Sequence, residues 1–351
     1  MTVNGGTFAN TATDAKSTGG AIACEGGDNA IEINGGNFSG GCGLYGSYVI
    51  KGGTFDRDVT SYVAEGYVAT KTAENEWTVF KAVASVEEFE TAIAEGGVVA
   101  LSADVTLSDV ITLDKETTIY LNGNKLDASS NTSRPFTVTD GANLTIEATD
   151  AEIECGANGL VNMTEGTLTI NGGSFNQTQG NNGAFIRVSG DEEMAINLNN
   201  VTYKAGTTDS GVLRTSGSNV TVNVNGGVYE AGMGFLLENG SINGAEITAT
   251  NTANMWPAVY ADGNITVTGC TIKSACHAVA VGGGNTLTVN NCNVTPADGK
   301  LAFQVFSSGG TINVNNSTYT GGYGTTGKIN SGSPDAVITI DGTEVYRKSA
   351  Q

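Results

Sequence analysis

One short phrase recurs from end to end of this sequence and constrains its fold more than any other feature. It joins a strand-like stretch to a polar bend and then to an aromatic residue, as in Leu-Thr-Ile-Asn-Gly-Gly-Ser-Phe at 168–175. Clear copies lie at 3–8, 33–38, 50–55 and 224–229, and looser ones at 198–203, 242–247, 289–294 and 314–319. A repeat of this kind predicts a chain that grows coil by coil along one axis.

The spacing of the bends predicts the size of one coil. From residue 122 onward the bend positions are Asn122, Glu147, Asn171, Asn199, Asn225, Asn243, Thr268, Asn290, Asn315 and Asp341. The steps run from 18 residues (225 to 243) to 28 residues (171 to 199), about the length of two or three short strands with their turns. Stacked coils would align the Asn amides in a ladder along the axis and bury the aromatic column in the core.

Two stretches depart from the repeat. Residues 56–80 predict a short helical turn ending at Gly66 and a hairpin that turns near Glu74-Asn75, a piece that could cover an exposed strand edge. Ser85-Val-Glu-Glu88 has the spacing of a capping box, and Val86, Phe89 and Ile93 would fall on one side of a helix. Gly96-Gly97 ends this pattern, so a helix is expected over 85–95.

The strands after this helix, Val98-Val-Ala-Leu101, Val105-Thr-Leu107, Ile111-Thr-Leu113 and Thr118-Ile-Tyr-Leu-Asn122-Gly, carry a resemblance to a known family. The sequence resembles the N-terminal cap and opening coils of right-handed parallel β-helix domains of the pectin-lyase-like kind, especially those in surface proteins of gut bacteria. The resemblance covers nearly the whole chain, but its motifs are specific for architecture and not for activity.

The expected fold class is therefore all-β, a right-handed parallel β-helix (solenoid) with one short capping helix. We expect this β-helix to occupy 81–351, preceded at 1–80 by the last coils and cap of another β-helix. Met1 falls inside a copy of the repeat, so the first array is expected to begin upstream of this chain.

Charge and hydropathy narrow the range of partners. The formal net charge is −20, which would repel a phosphate backbone, so nucleic-acid binding is disfavoured. No apolar run approaches the roughly 20 residues of a membrane span, so no membrane insertion is expected. No cofactor motif and no metal site are predicted, because the cysteine spacings match no zinc pattern and the Asp191-Glu192-Glu193 loop lacks spaced oxygen ligands.

Catalytic residues are not predicted. The Asn-Thr-Asp, Asp-Asp, Gly-His-Gly and Arg-Ile-Lys signatures of polygalacturonases are absent from the sequence. The single histidine, His277, is better explained by a structural role, and Glu152 with Glu154 by an exposed surface pair. The interpretation therefore leans away from an enzyme.

The cysteines can be interpreted in two ways, as disulfides or as buried free thiols, and the sequence does not decide between them. Cys270 and Cys292 each follow a bend by two residues in neighbouring copies, so they should stack. They could form a disulfide, as could Cys24 with Cys42, or they could belong to a ladder of buried free thiols.

A third column of equivalent residues, beside the Asn ladder and the aromatic column, predicts the candidate site. A guanidinium does not point into a dry core, so Arg187 and Arg214 would set which residues of their strands face outward. Neighbouring strands aligned on the preceding turn then place Val161, Ile186, Leu213, Leu236 and Val259 inside. The same alignment places Leu160, Phe185, Val212, Phe235, Leu237 and Tyr260 outside, with Trp256 close by.

An exposed apolar stripe of this kind indicates a surface that another molecule or another part of the chain contacts. The candidate binding residues are Phe185, Arg187, Arg214, Phe235, Leu237, Trp256 and Tyr260. Three explanations remain open: a loop of the same chain covers the stripe, another subunit or partner covers it, or a glycan binds there.

The function expected from these features is a non-enzymatic, extracellular module of a bacterial surface protein. It would act as a spacer and as an adhesin for a glycan or a host surface protein, and a homo-oligomer is compatible with the sequence. One alternative is a phage tail or head-fibre module, located in a virion. The other is a polysaccharide lyase or hydrolase with an unfamiliar site.

Overall fold

The computed structural model describes residues 1–10, 22, 31–40, 47–178, 183–206, 209–216, 219–252 and 256–350. The fold is all-β, with 55% strand and 4% helix, and the described part is a parallel β-solenoid of about 9 turns. A typical turn contains three strands, one on each of three faces that we call face 1, face 2 and face 3. The expected fold class is confirmed at this level.

Face 1 carries the strands Ile111–Leu113, Phe136–Val138, Val161–Met163, Ala184–Val188, Gly211–Arg214, the first half of Met233–Asn243, the first half of Val259–Thr268, Val279–Val281, Leu301–Val305 and Gly322–Thr325. Two of these strands, Met233–Asn243 and Val259–Thr268, continue around the corner into face 2.

Face 2 carries Gly97–Leu101, Thr117–Tyr120, Asn143–Glu147, Gly166–Asn171, Met194–Asn199, Val220–Asn225, the two continuing strands, Thr286–Asn290, Gly310–Asn315 and Ala336–Ile340. Face 3 carries Val105–Thr106, Leu126–Asp127, Glu152–Glu154, Ser174–Gln177, Thr202–Ala205, Val228–Ala231, Glu246–Ala249, Thr271–Ser274, Asn293–Thr295 and Thr318–Tyr319. At the C-terminal end Thr343–Lys348 pairs antiparallel with Ala336–Ile340.

The repeated phrase builds the corner between faces 2 and 3. Asn171 ends a face 2 strand, Gly172 and Gly173 turn the chain with φ values of 70° and 88°, and Phe175 enters face 3 fully buried. Positive φ is the conformation that glycine adopts without strain, which explains the composition of the bend. The buried column predicted from the phrase is confirmed, because Phe175, Tyr203, Tyr229, Ile247, Ile272, Val294 and Tyr319 pair in register along face 3.

The Asn ladder is also present. Asn199 donates to Asn171 Oδ1 at 2.7 Å, Asn225 donates to Asn199 Oδ1 at 3.0 Å, and Asn315 donates to Asn290 Oδ1 at 2.9 Å. These amides are half-buried or exposed, so the ladder runs along the outside of the corner. The first predicted position is wrong: Tyr120, not Asn122, pairs with Glu147.

Residues 1–80 have a hydrophobic cluster of their own, separate from the main core. Its strands are Thr2–Val3, Thr7–Ala9, Ile31–Ile33, Asn37–Ser39, Tyr48–Ile50 and Gly53–Phe55, followed by the 3-10 helix Thr60–Tyr62. The rings of Phe8, Phe38 and Phe55 stack, with centroids 5.0 and 4.8 Å apart.

The predicted hairpin joins the two arrays. Its strands Tyr67–Ala73 and Glu76–Val83 turn at Asn75, whose φ is 56°. The second strand pairs antiparallel with Gly53–Phe55 and then, at its far end, parallel with Gly97–Leu101. The hairpin therefore covers the last strand edge of the first array, as expected, and continues the hydrogen bonding into the second.

The predicted helix is Val86–Glu95. Ser85 Oγ accepts from the Glu88 backbone N–H at 3.2 Å, and the Glu88 carboxylate accepts from the Ala84 N–H at 2.8 Å. Phe89 and Ile93 are buried against the first coils, so the helix covers the N-terminal end of the main core. Val86, expected on the same side, is 39% exposed.

Candidate functional site

Face 1 presents two exposed cations. Arg187 and Arg214 are Cα partners on neighbouring parallel strands, and both side chains are exposed. The residues next to them, Ile186 and Leu213, point into the core, so simple strand alternation turns the guanidinium groups outward. Neither arginine forms an ion pair with any residue that the structure describes.

A third arginine lies against the same face. Arg134 reaches across the intervening coil, and its Nη2 and Nε donate to the Ala184 carbonyl oxygen at 3.0 and 3.2 Å. Burial lowers the pKa of Arg134 to about 10, and the charge of Arg187 adds to this effect. Repulsion between these two guanidinium groups is therefore part of the native structure.

Aromatic side chains continue the face beyond the arginines. Trp256 is 37% exposed, and its ring centroid lies 5.8 Å from that of Tyr260. The Tyr260 hydroxyl donates to Asp262 Oδ1 at 3.3 Å. Burial, and then the negative charge of Asp262, raises the pKa of Tyr260 to about 12, so this phenol stays neutral and able to donate at ordinary pH.

Between the cations and the aromatic residues lies a cavity of ≈ 210 Å³, which we call the arginine–aromatic pocket. It is lined by Ala184, Gly211, Leu213, Arg214, Met233, Gly234, Phe235, Leu236, Trp256, Pro257 and Tyr260. The pocket is open because Gly211 has no side chain. A Cβ at Gly211 would meet Met233 and Ala184 at ordinary contact distances of 3.7 and 3.8 Å, so a side chain would fit the backbone and occupy the pocket.

The pocket is closed at its C-terminal side. Tyr260 and Phe306 come from the coils on either side of Ala280, and their ring centroids lie 5.1 Å apart. Ala280 and Gln304, the next outward positions of face 1, are 0% exposed, and Gln304 Nε2 donates to Thr326 Oγ1 at 2.8 Å. Side chains of the same molecule therefore cover this end of the face.

Three of the predicted site residues are buried, and of these three Phe235 lines the pocket from inside. Phe185, Phe235 and Leu237 are buried in the main core, as are Leu160 and Val212, so the expectation that they face outward is wrong. Phe235 pairs with Leu213 and Val259, which places Phe235 inside and the half-buried Leu236 outside, one residue away from the predicted register.

The aromatic rings explain this difference. Phe235 packs edge-on against Tyr229 at 5.0 Å, and Phe185 stacks on Tyr203 at 4.5 Å, so each ring completes the aromatic column of face 3. Phe185 and Ile186 are consecutive and both buried, because the strand begins at a corner of the coil. Of the predicted set, the structure thus brings Arg214, Phe235, Trp256 and Tyr260 together around the pocket, with Arg187 on the neighbouring strand.

Sequence reasoning missed three contributors to this site. Arg134 precedes a proline in a loop, and its contact with Ala184 spans 50 residues. Phe306 follows the strand Leu301–Val305, which lies outside the predicted stripe, and Gly211 resembles any other turn glycine. The signal that could have suggested Arg134 is the rarity of arginine in the sequence. The chain has five arginines, and three of them lie on or against face 1.

Other candidate residues have structural roles. His277 Nδ1 accepts from the Leu301 backbone N–H at 2.9 Å, and burial, with a contribution from Lys300, lowers the pKa of its imidazole. Glu154 lies beside Glu152 on face 3 and 3.7 Å from Lys125. Burial is the main cause that raises the pKa of Glu154.

The cysteines that the structure describes, Cys155, Cys270, Cys276 and Cys292, are buried free thiols. Cys270 and Cys292 do stack, because the Cys270 N–H donates to Cys292 Sγ at 3.4 Å, but no disulfide joins them. The Cys24–Cys42 pair lies outside the described residues.

Comparisons place no known protein beside this chain: no protein-family model, curated protein or solved structure matches it. Within the described ranges, no helix is long and apolar enough to cross a membrane. The described residues also show no group of three His, Cys, Asp or Glu side chains able to hold a metal ion. What the pocket offers chemically is the Arg214 guanidinium with Arg187 on the next strand, the oxygen of a neutral phenol whose O–H is donated to Asp262, and aromatic surface.

Proposed function

We propose that this chain is a non-enzymatic module of an extracellular bacterial surface protein, and that it binds glycan at the arginine–aromatic pocket while its coils act as a spacer. The pectin-lyase-like kinship, the right-handed coil and the gut-bacterial source expected from the sequence belong to the same proposal. The observation that carries it is the exposed Trp256 beside Tyr260 and Arg214 at the edge of one cavity.

Sugar recognition needs these two kinds of surface together. The apolar C–H face of a pyranose ring packs on an aromatic face, and its hydroxyl groups need hydrogen-bond partners in fixed directions. Trp256 and Tyr260 supply the first, while the Arg214 guanidinium and the Tyr260 oxygen supply the second. An elongated solenoid that holds this pocket on a rigid sheet suits an adhesin, because parallel strands position side chains more precisely than loops do.

A glycan array tests the proposal. The protein is applied alongside the Trp256→Ala and Tyr260→Ser variants, with Val228→Ser as the matched control, since Val228 is a 45% exposed apolar residue on face 3. We expect each pocket variant to weaken binding by about tenfold or more, which corresponds to about 1.4 kcal/mol of lost contact.

Three outcomes would count against the proposal. Equal binding by all variants would place any glycan site elsewhere, and absence of glycan binding by the folded protein would favour a protein partner. Release of shorter products from acidic or neutral polysaccharides would show an enzyme.

A further inference from the structure

We infer that the arginine–aromatic pocket binds the end residue of an anionic glycan, with the carboxylate or sulfate of that residue held by Arg214 and Arg187. This inference rests on the proposed glycan-binding function and adds two statements to it. The sugar carries a negative charge, and it lies at a chain end and not in a chain interior.

The first support is the distribution of positive charge. Arg57 and Arg347 have carboxylate partners at 3.4 and 2.7–2.8 Å, whereas Arg134, Arg187 and Arg214 have no ion pair among the described residues. A protein of net charge −20 thus gathers three of its five arginines on or against one face, with no ion pair to them from the described residues. Clustered like charges are unfavourable on their own, and a bound anion would offset that cost.

The second support is the geometry of the cations. Arg187 and Arg214 lie on adjacent strands, roughly 4.8 Å apart along the solenoid axis. A guanidinium presents two parallel N–H groups, which match the two oxygens of a carboxylate or two oxygens of a sulfate. Arg134, fixed to the Ala184 carbonyl in the pocket wall, adds its charge without touching the pocket opening.

The third support is the size and closure of the cavity. Its ≈ 210 Å³ is smaller than the roughly 300–1,000 Å³ of sites for drug-sized ligands, and suits one sugar ring. Beyond Tyr260 the face is closed, because Ala280 and Gln304 are 0% exposed. Toward the N-terminal coils, Arg187 is exposed and Asn162 half-buried, so along the solenoid axis a bound chain can extend in that direction.

The resulting arrangement has a direction. The terminal ring packs on Trp256 and Tyr260 with its anionic group toward Arg214 and Arg187, and the next sugar continues toward Asn162. A chain that continues past its anionic residue would meet the rings of Tyr260 and Phe306.

Binding measurements with matched oligosaccharides test the inference. One set ends in a uronic or sialic acid, a second ends in a sulfated sugar, a third has the terminal acid reduced to an alcohol, and a fourth carries the acid at an internal residue behind a neutral end. We expect the first or second set to bind about tenfold or more tightly than the third and fourth, and to weaken as salt is raised. A preference for the first set over the second identifies a carboxylate, and the reverse identifies a sulfate.

Variants assign the effect to residues. Arg214→Gln should remove the preference for the acidic end, Arg187→Gln should reduce it several-fold, and Gly211→Leu should block all ligands by filling the cavity. Lys273→Gln is the charge-matched control, because Lys273 is exposed on face 3, and it should bind as the unmodified protein does. Circular dichroism and melting curves verify that each variant is folded.

The outcomes separate the two proposals. If the neutral-ended set binds as tightly as the acidic-ended sets and Arg214→Gln has no effect, the anionic inference is wrong while the glycan site stands. If the internal acid binds as well as the terminal acid, recognition of a chain end is wrong. If no set binds but the control and parent proteins are folded, the proposed function itself fails.

Discussion

Arg187 and Arg214 are Cα partners on adjacent strands of face 1, and no described carboxylate neutralises either of them. Two exposed cations in this relationship repel each other at low ionic strength, and salt screens the repulsion. Residues kept for binding are often unfavourable for stability in this way.

We therefore expect Arg187→Gln to raise the melting temperature slightly at about 10 mM salt, and the gain to shrink at about 0.5 M salt, where the Debye length is a few Å. Thermal unfolding at the two salt concentrations measures it. Lys273→Gln, on face 3, should show no such salt-dependent gain. A loss of stability in Arg187→Gln at low salt would mean that this guanidinium has a stabilising partner.

The register of face 1 gives a second prediction. Phe235 is 1% exposed and packs on Tyr229, whereas Leu236 faces outward and is half-buried. Phe235→Ala should cost about 3–4 kcal/mol of unfolding free energy, and Leu236→Ala no more than about 1 kcal/mol. Urea unfolding midpoints of the two variants measure these losses. A larger loss for Leu236→Ala than for Phe235→Ala would support the register expected from the sequence.

The Asn ladder gives a third prediction. Asn199 both donates to Asn171 Oδ1 and accepts from Asn225 Nδ2. Asn199→Ala should therefore cost about 1–2 kcal/mol by removing two half-exposed hydrogen bonds. Thr221→Ala, on an exposed position of the same face with no described side-chain bond, is the control and should cost less. Equal costs for the two variants would show that the hydrogen bonds of the ladder do not stabilise the fold.

A fourth prediction concerns His277, whose pKa is lowered in the folded chain by burial and by Lys300. Because the unfolded chain keeps an ordinary pKa of about 6.5, it binds a proton first as the pH falls. The native state therefore loses stability below about pH 6.5, and His277 contributes no penalty well above it. Protonation also opposes the bond that Nδ1 accepts from the Leu301 N–H.

His277→Asn isolates this contribution, since the asparagine side chain stays uncharged over the same range. The difference in unfolding midpoint between the two proteins should change between pH 7.5 and pH 5.5 in favour of the variant. A constant difference would show that the histidine has the same proton affinity in both states.

The stacked thiols give a fifth prediction. The neighbouring Cys270 thiol and N–H lower the pKa of Cys292 below its usual value, although both side chains are buried. A small disulfide such as oxidised glutathione should therefore convert this pair to an internal disulfide by exchange, slowly, because access needs local opening. Peptide mapping should find Cys270 joined to Cys292 with loss of two hydrogens, and Cys270→Ser should leave Cys292 unpaired. A mixed disulfide that persists on Cys292 of the parent protein would contradict it.

Much of the architecture was predictable because it repeats. The phrase at Asn171–Phe175 returns along the corner between faces 2 and 3. A misplaced bend in one copy is therefore corrected by its neighbours, and the strand register of the later copies follows from the repeat. The capping helix was predictable because Ser85 and Glu88 act on each other locally. The prediction failed at Asn122 because the face 2 strand there ends two residues earlier, at Tyr120, which is the residue that aligns with Glu147.

The candidate site was predictable in part. Arg187 and Arg214 identified the outward side of their own strands, because burying an unpaired guanidinium is costly. The apolar strand through Phe235, Leu236 and Leu237 contains no such marker, and alternation alone allows either register. Which of these side chains faces inward depended on the space beside Tyr229, a contact between different faces of the coil.

The sequence by itself determined that the chain coils in parallel strands, where the bends lie, and which aromatic column fills face 3. Only the tertiary structure decided that Phe185 and Phe235 complete the core, that Arg134 joins the other arginines, and that Tyr260 and Phe306 close the pocket. The physical reason is distance along the chain. Bends and caps depend on neighbours within a few residues, whereas the pocket depends on contacts such as that of Arg134 with Ala184, 50 residues apart, which no local pattern encodes.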